Sequence, residues 1–250
     1  MELDLKNKKA FVTGASRGIG YEIAKTLHRE GCKIAINSRN RIDLDKACES
    51  LYGSVAIEGD MRKSDEAKRV VNEVVEKLGG LDIVICNIGS GRSVEPGTET
   101  KKEWERVFGI NMWSTTNTVE ATRDALKKSK GVIVCISSIC GVEVIEGAPI
   151  TYSAAKAALN AYVKGIARPL GKEGIRINAI APGNIIFEGS VWSKKLAEKK
   201  QETEDMLKTK VALGCFGKTS DIANLVAFLA SPKSRYASGS IVIMDGGQTH

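Results

Sequence analysis

The apolar residues of this chain fall in short, nearly unbroken runs separated by amphipathic stretches from one end to the other. Runs at 9–13, 33–37, 54–57, 82–86, 131–136, 175–180 and 240–244 read as strands. Helical spacing predicts helices over 18–29, 42–51, 65–78, 102–128, 152–170 and 220–229. Strands that are apolar throughout, with helices between them, belong to a parallel sheet covered on both faces. No Pro/Ser-rich linker divides the chain, and no repeat beyond strand–helix is visible. The economical reading is one doubly wound α/β domain over 1–250, carrying an irregular or helical insertion at 184–217. Such sheets bind ligands beyond the carboxyl ends of their strands, so the residues after each strand are where chemistry is expected.

After the first strand comes Thr13-Gly14-Ala15-Ser16-Arg17-Gly18-Ile19-Gly20. Glycines permit a sharp turn and let a pyrophosphate approach the backbone, and the following helix offers unpaired N–H groups to an anion. This is a dinucleotide-site candidate. After the second strand, Ser38-Arg39 stands where an adenine ribose would lie, with no carboxylate among residues 37–40. A carboxylate there would accept from a free 2′-hydroxyl; an arginine pairs with a 2′-phosphate, and Arg17 points to the same group. Tyr152 and Lys156 are four residues apart at the start of a helix and share a face. A nearby ammonium favours phenolate, as a general acid/base requires. Ser137-Ser138 sit just past the fifth strand, where a hydroxyl can reach the same point.

The charge balance changes little. Lys and Arg number 37 against 30 Asp and Glu, a formal charge of +7, but acidic residues interleave the lysines of the insertion. This reads as a solvated surface, and no nucleic-acid module accompanies it. No apolar run approaches membrane-helix length, and the first residues lack a secretory core segment. The 6 cysteines show no C-x-x-C spacing, which argues against a metal site or disulfide framework and for a cytoplasmic setting.

Taken in order, these motifs resemble the short-chain dehydrogenase/reductase family, in its branch like the 3-oxoacyl-carrier-protein reductases. The T-G-x-x-x-G-x-G turn, Asp60 after strand three, Asn87-Ile88-Gly89 after strand four, Ser138 with Tyr152 and Lys156, and Pro182-Gly183 after strand six carry the resemblance across the whole chain. It implies a Rossmann-type sheet of seven parallel strands in the order 3-2-1-4-5-6-7, a nicotinamide cofactor and a homotetramer. It implies that Tyr152 is the catalytic acid/base, that Lys156 holds the nicotinamide ribose and lowers the tyrosine pKa, and that Ser138 binds the substrate oxygen. Asn111 matches the family's helix asparagine, which supports a proton relay to Lys156. Asp60 and Met61 would line an adenine pocket, Asn87 and Gly89 would steady the turn near the ribose, and Ile185 would contact the cofactor.

The chain departs from that pattern in two places. Ile88 replaces a smaller alanine beside the cofactor, and Phe187 stands where a threonine is common. Either Ser190 takes over from that threonine or backbone groups alone orient the nicotinamide. Arg92, Phe187 and Trp192 are candidates for the substrate side; Arg92 would suit an anionic group. The apolar residues of the insertion are either the core of a helical lid or a wall of the substrate pocket. The resulting expectation is an NADP(H)-dependent oxidoreductase interconverting a carbonyl and a secondary alcohol, with NAD(H) as the lesser cofactor. The rival is a catalytically silent NADP(H)-sensing regulator. Oxoacyl thioesters, sugars, steroids and small ketones all remain open as substrates.

Overall fold

The computed structural model describes residues 2–249. Its main sheet has seven strands, all parallel, in the order β3-β2-β1-β4-β5-β6-β9. These are β1 (Lys9–Thr13), β2 (Lys33–Ser38), β3 (Val55–Glu58), β4 (Ile83–Cys86), β5 (Val132–Ile136), β6 (Arg176–Pro182) and β9 (Ile241–Met244). The expected order holds. The seventh strand is β9 because two 2-residue strands, β7 (Ile185–Ile186) and β8 (Gly217–Lys218), pair with each other at the two ends of the insertion.

Alternate strand residues face opposite sides of a sheet, and the two cores follow that rule. Val12, Ile34, Ile36, Ile85 and Val134 pack beneath α1 (Gly18–Arg29), α2 (Arg41–Glu49) and α9 (Thr219–Ala230). Phe11, Ala35, Val84, Ile133 and Cys135 pack beneath α3 (Ser64–Leu78), α5 (Ser114–Ser129) and α6 (Ile150–Lys172). Cys86 and Cys135 are register partners on β4 and β5, and both are buried as free thiols. No helix among the described residues is long and apolar enough to cross a membrane.

One predicted element is broken. The helix expected over 102–128 is α4 (Lys101–Phe108), a π-helical turn at Gly109–Trp113, and then α5. Hydrophobic periodicity cannot report one extra residue in a turn, and such insertions often occur at functional sites. Here the turn carries Asn111 fully inside the protein. The insertion resolves into α7 (Val191–Glu198) and α8 (Lys200–Lys210).

Candidate active site

The glycine turn after β1 is a frame of main chain. Gly14 and Gly18 hold φ of 63° and 60°, the left-handed region open to glycine. Gly20 is needed for a different reason: a β-carbon there would stand 2.3 Å from Asn87 Nδ2 and 2.6 Å from the Gly14 carbonyl oxygen. Asn87 Nδ2 donates to the carbonyls of Thr13 (3.0 Å) and Gly14 (2.9 Å), and its N–H donates to Thr13 Oγ1 (3.0 Å). Asn87 is therefore a strut of the glycine turn. Ile88 packs under Gly14. Arg17, the N-cap of α1, is extended and its side chain makes no cap. The first N–H groups of α1, those of Gly18, Ile19 and Gly20 among them, thus meet no side-chain cap and suit an anion.

Around the ends of β2 and β3, Ser38 Oγ meets Ser16 Oγ at 3.3 Å, and Arg17 and Arg39 are exposed. A cleft of about 560 Å3 opens among Arg39, Arg41, Asp60, Lys63 and Arg69. Asp60 accepts from Arg62 through both oxygens, Nε at 2.8 Å and Nη2 at 2.5 Å. These bonds hold its carboxyl below the usual range, and the charge of Arg39 adds to the effect. Met61, expected beside an adenine, is fully buried in the second core. Asn37 is fully buried; its Nδ2 donates to the carbonyls of Ile57 and Gly59, while its Oδ1 has no protein partner. An uncapped helix, left-handed glycines and exposed arginines together fit a phosphorylated dinucleotide.

The other half of the site is made of side chains. Ser138, at the end of β5, is buried and caps the short turn Ile139–Gly141, its Oγ accepting from the Cys140 N–H at 3.2 Å. Tyr152 and Lys156 project from the first turns of α6. Lys156 is 2% exposed, and its Nζ donates to the Ile136 carbonyl at 2.8 Å. A β-carbon on Gly89 would lie 3.1 Å from both Lys156 Nζ and Asn111 Oδ1, so glycine lets the strand-four turn reach them. Asn111 spends its amide on that turn: Oδ1 accepts from the Ser90 N–H (2.9 Å), and Nδ2 donates to the Ser90 carbonyl (3.1 Å). The structure thus brings Ser138, Tyr152, Lys156, Asn111 and Gly89 to one place, and sets Gly89 beside Lys156 and Asn111.

One residue passed over in the sequence, Asn160, supports this group together with Ser137. Ser137 Oγ donates to Asn160 Oδ1 at 2.6 Å, and Asn160 Nδ2 donates to the Gly141 carbonyl at 2.9 Å. A β-carbon on Gly141 would stand 2.4 Å from the Lys156 carbonyl carbon. The usable signal was Asn160, one helical turn past Lys156 on the same face.

Burial governs the acid–base character here. It pushes the Tyr152 phenol up to about 12, with the Ser138 hydroxyl opposing, and pushes the Lys156 ammonium down to about 8. This reverses the expectation that Lys156 draws the phenol down: its Nζ lies 5.9 Å from the ring centroid, and desolvation outweighs it.

Beyond β6, Gly183 donates its N–H to the Met244 carbonyl (3.0 Å), and a β-carbon there would meet Asp245 at 2.7 Å. Pro182 ends the strand, and Ile185 is buried in the first core. Ser190 Oγ caps α7 by accepting from Ser193 N–H (3.0 Å) and also accepts from Phe187 N–H (3.3 Å). Trp192 stacks on Phe216 at 5.6 Å with Lys195 Nζ 4.8 Å above it, so it serves the lid's own packing. Phe187 lies over the glycine turn: its Cε2 would be 2.7 Å from a β-carbon on Gly18. Arg92 is exposed beyond β4.

A family model described as enoyl-(acyl carrier protein) reductase matches residues 14–249. The 3-oxoacyl-(acyl-carrier-protein) reductase of Staphylococcus aureus (strain Mu50) is 35% identical over 246 residues, covering 96% of this chain and 97% of that protein. The crystal structure of a putative short-chain alcohol dehydrogenase from Sinorhizobium meliloti 1021 superposes with a TM-score of 0.92 at 29% identity, covering 99% of this chain and 98% of that one. L-Sorbose reductase from Gluconobacter frateurii, crystallised with NADPH and L-sorbose, gives 0.91 at 27% identity with the same coverage. With the sheet order, the glycine turn and the Ser138–Tyr152–Lys156 cluster, these likenesses make the chain a member of the short-chain dehydrogenase/reductase family of oxidoreductases.

Proposed function

We propose that this protein is an NADP(H)-dependent carbonyl reductase in which Ser138, Tyr152, Lys156 and Asn111 form the catalytic set. The observation that carries the reading is the convergence of the Ser138 hydroxyl, the Tyr152 phenol and the buried Lys156 ammonium beside Gly89. Bound NADP(H) supplies the hydride. Ser138 and Tyr152 receive the carbonyl oxygen as charge builds on it, and Tyr152 gives up the proton. With its pKa held near 12, the phenol stays protonated across the neutral range and is ready to act as the acid. Lys156, fixed by the Ile136 carbonyl, presents a cation beside the site, and Asn111 holds the backbone of Ser90 opposite it.

Exposed Arg39 and Arg17, with no acid among residues 37–40, support NADP(H) over NAD(H). The proteins to which the chain is similar bear names for different bonds: an enoyl C=C, a 3-oxoacyl C=O and a ketose C=O. Two hydroxyls that can meet one acceptor favour a carbonyl oxygen, and exposed Arg92 favours a polar or anionic substrate. The half-exposed apolar strand β9, at the open edge of the sheet, supports self-association as a homotetramer.

The test is cofactor consumption by the purified protein with acetoacetyl-CoA and L-sorbose as probes, each with NADPH and NADH. Turnover of at least one probe with higher kcat/KM for NADPH is expected. Absence of turnover with both probes, or a preference for NADH, refutes the reading.

A further inference from the structure

The segment after β4, Gly89-Ser90-Gly91-Arg92-Ser93, crosses the catalytic tyrosine: a β-carbon on Gly91 would stand 3.7 Å from the Tyr152 ring. Its composition offers no apolar side chain to bury, and its glycines favour disorder of the backbone. Hydrogen bonds fix it at both ends. At one end, Asn111 holds both backbone groups of Ser90. At the other, Arg106 Nη2 donates to the Arg92 carbonyl at 2.9 Å.

The second anchor is a directed chain. Ser93 Oγ donates to Glu103 Oε1 at 2.7 Å and lies 2.6 Å from Thr151 Oγ1. Ser93 has one hydroxyl proton, so with that proton on the carboxylate it must accept from Thr151. Thr151 is fully buried and immediately precedes Tyr152. Glu103 is in turn gripped by Arg106 through Nε (2.7 Å) and Nη2 (2.6 Å), and only 13% of its side chain is exposed. Hydrogen bonds from Arg106 and Ser93 keep the carboxyl near 2, so it is ionised and the chain keeps its direction at every working pH.

We propose that Glu103 is a positioning residue for carbonyl reduction: through Ser93, Thr151 and Arg106 it clamps the glycine-rich segment onto Tyr152, setting the phenol and the wall beside it while touching neither substrate nor cofactor. This rests on the carbonyl-reductase reading above. Arg106 is shared between the clamp and the Arg92 backbone, so losing the carboxylate frees the segment at two points.

Glu103→Gln, Ser93→Ala and the double variant test it on the full-length protein. Three readouts are taken: steady-state reduction of whichever probe, acetoacetyl-CoA or L-sorbose, the wild type turns over; the NADPH Kd by fluorescence titration; and hydrogen exchange of the peptide spanning residues 88–95. Each single variant is expected to lose roughly tenfold to a hundredfold in kcat, the range that misplacement of reacting groups costs. Exchange over 88–95 is expected to speed up at least as much, with the NADPH Kd little changed. The double variant is expected to be no slower than the worse single one, because both residues act through the same chain. Unchanged exchange over 88–95 in Glu103→Gln overturns the clamp whether or not any probe is turned over. Faster exchange with wild-type kcat shows a clamp without catalytic consequence and overturns the positioning role. A parallel loss of NADPH affinity overturns it too, assigning Glu103 to general folding. If the wild type reduces neither probe while its exchange pattern is as expected, the carbonyl-reductase reading fails, and the positioning role falls with it.

Discussion

Beyond β1, β2 and β3 the site is made of main chain: left-handed glycines, a helix without a side-chain cap, and a strut, Asn87, that spends its amide on backbone carbonyls. Arg17 and Arg39 lie out in solvent. Beyond β4 and β5 it is made of buried side chains, and Ser138, Asn111 and Lys156 each have a defined partner. The first half can recognise what any dinucleotide presents, a phosphate and a ribose. The second half can move a proton. Substitutions should separate the two, because a side chain removed from the second leaves the backbone of the first in place.

The largest separation is expected from Tyr152→Phe. It removes the proposed proton donor and keeps the ring, so turnover should fall by about 100- to 10,000-fold, while the NADPH Kd should rise by no more than about 2- to 12-fold by titration, what one hydrogen bond of about 0.5–1.5 kcal/mol contributes. Lys156→Met should break the comparison, lowering both rate and affinity, because the proposed role gives its ammonium two tasks, holding the nicotinamide ribose and serving the proton-transfer group. Equal losses of rate and affinity in Tyr152→Phe would join the halves again.

The halves also differed in how they could be read from sequence. The glycine turn was legible because glycine spacing is itself what builds it: Gly14, Gly18 and Gly20 are fixed by φ or by close approach. That Tyr152 and Lys156 stand one turn apart on one helix was legible because four residues is one helical turn. The direction of the tyrosine's pKa was not, since a charge partner is visible in sequence and the depth of burial is not. The same limit hid the π turn around Asn111, where one extra residue leaves no periodic trace. It hid the network of Ser137 and Asn160, whose partners are 23 residues apart. In the lid, charged and apolar residues are mixed, so Trp192 on Phe216 emerged only with the fold.

The next expected effect concerns the nucleotide half alone. A charge-assisted hydrogen bond contributes about 1.5–3 kcal/mol, which is roughly a 10- to 150-fold preference for NADP(H). Ser38→Asp with Arg39→Ala should reverse it, since the new carboxylate repels a 2′-phosphate and accepts from a free hydroxyl. The ratio of kcat/KM for the two cofactors is the measurement, and kcat at saturation should hardly change. An unaltered ratio would mean that neither residue meets the ribose.

The catalytic half has its own signature in pH. Burial lowers Lys156 to about 8, so it is charged below that pH and neutral above it; Tyr152, near 12, keeps its proton throughout. Carbonyl reduction should therefore be flat up to neutrality and fall about tenfold per unit above the lysine's pKa, as expected for one essential proton. Lys156→Met should abolish that break while lowering the plateau. A break that survives in Lys156→Met would have to come from another group.

The smallest effect is expected where the lid touches the nucleotide half. Phe187 lies on Gly18, at the N-terminus of α1 where a pyrophosphate would dock, and belongs to the edge of the first core. The expectation is that a phosphate docking there displaces the ring. Fully burying a phenylalanine stabilises by about 1.5–3 kcal/mol, and this ring is partly exposed, so displacing it should cost roughly 1 kcal/mol. Phe187→Ala removes that cost and should tighten NADPH binding by about fivefold. The Trp192–Phe216 stack belongs to the same lid, so the tryptophan emission should change on NADPH binding in the wild type. In the variant that change should shrink, because no ring has to be displaced. Weaker NADPH binding by Phe187→Ala would give the ring the opposite role, a wall that holds the cofactor in place.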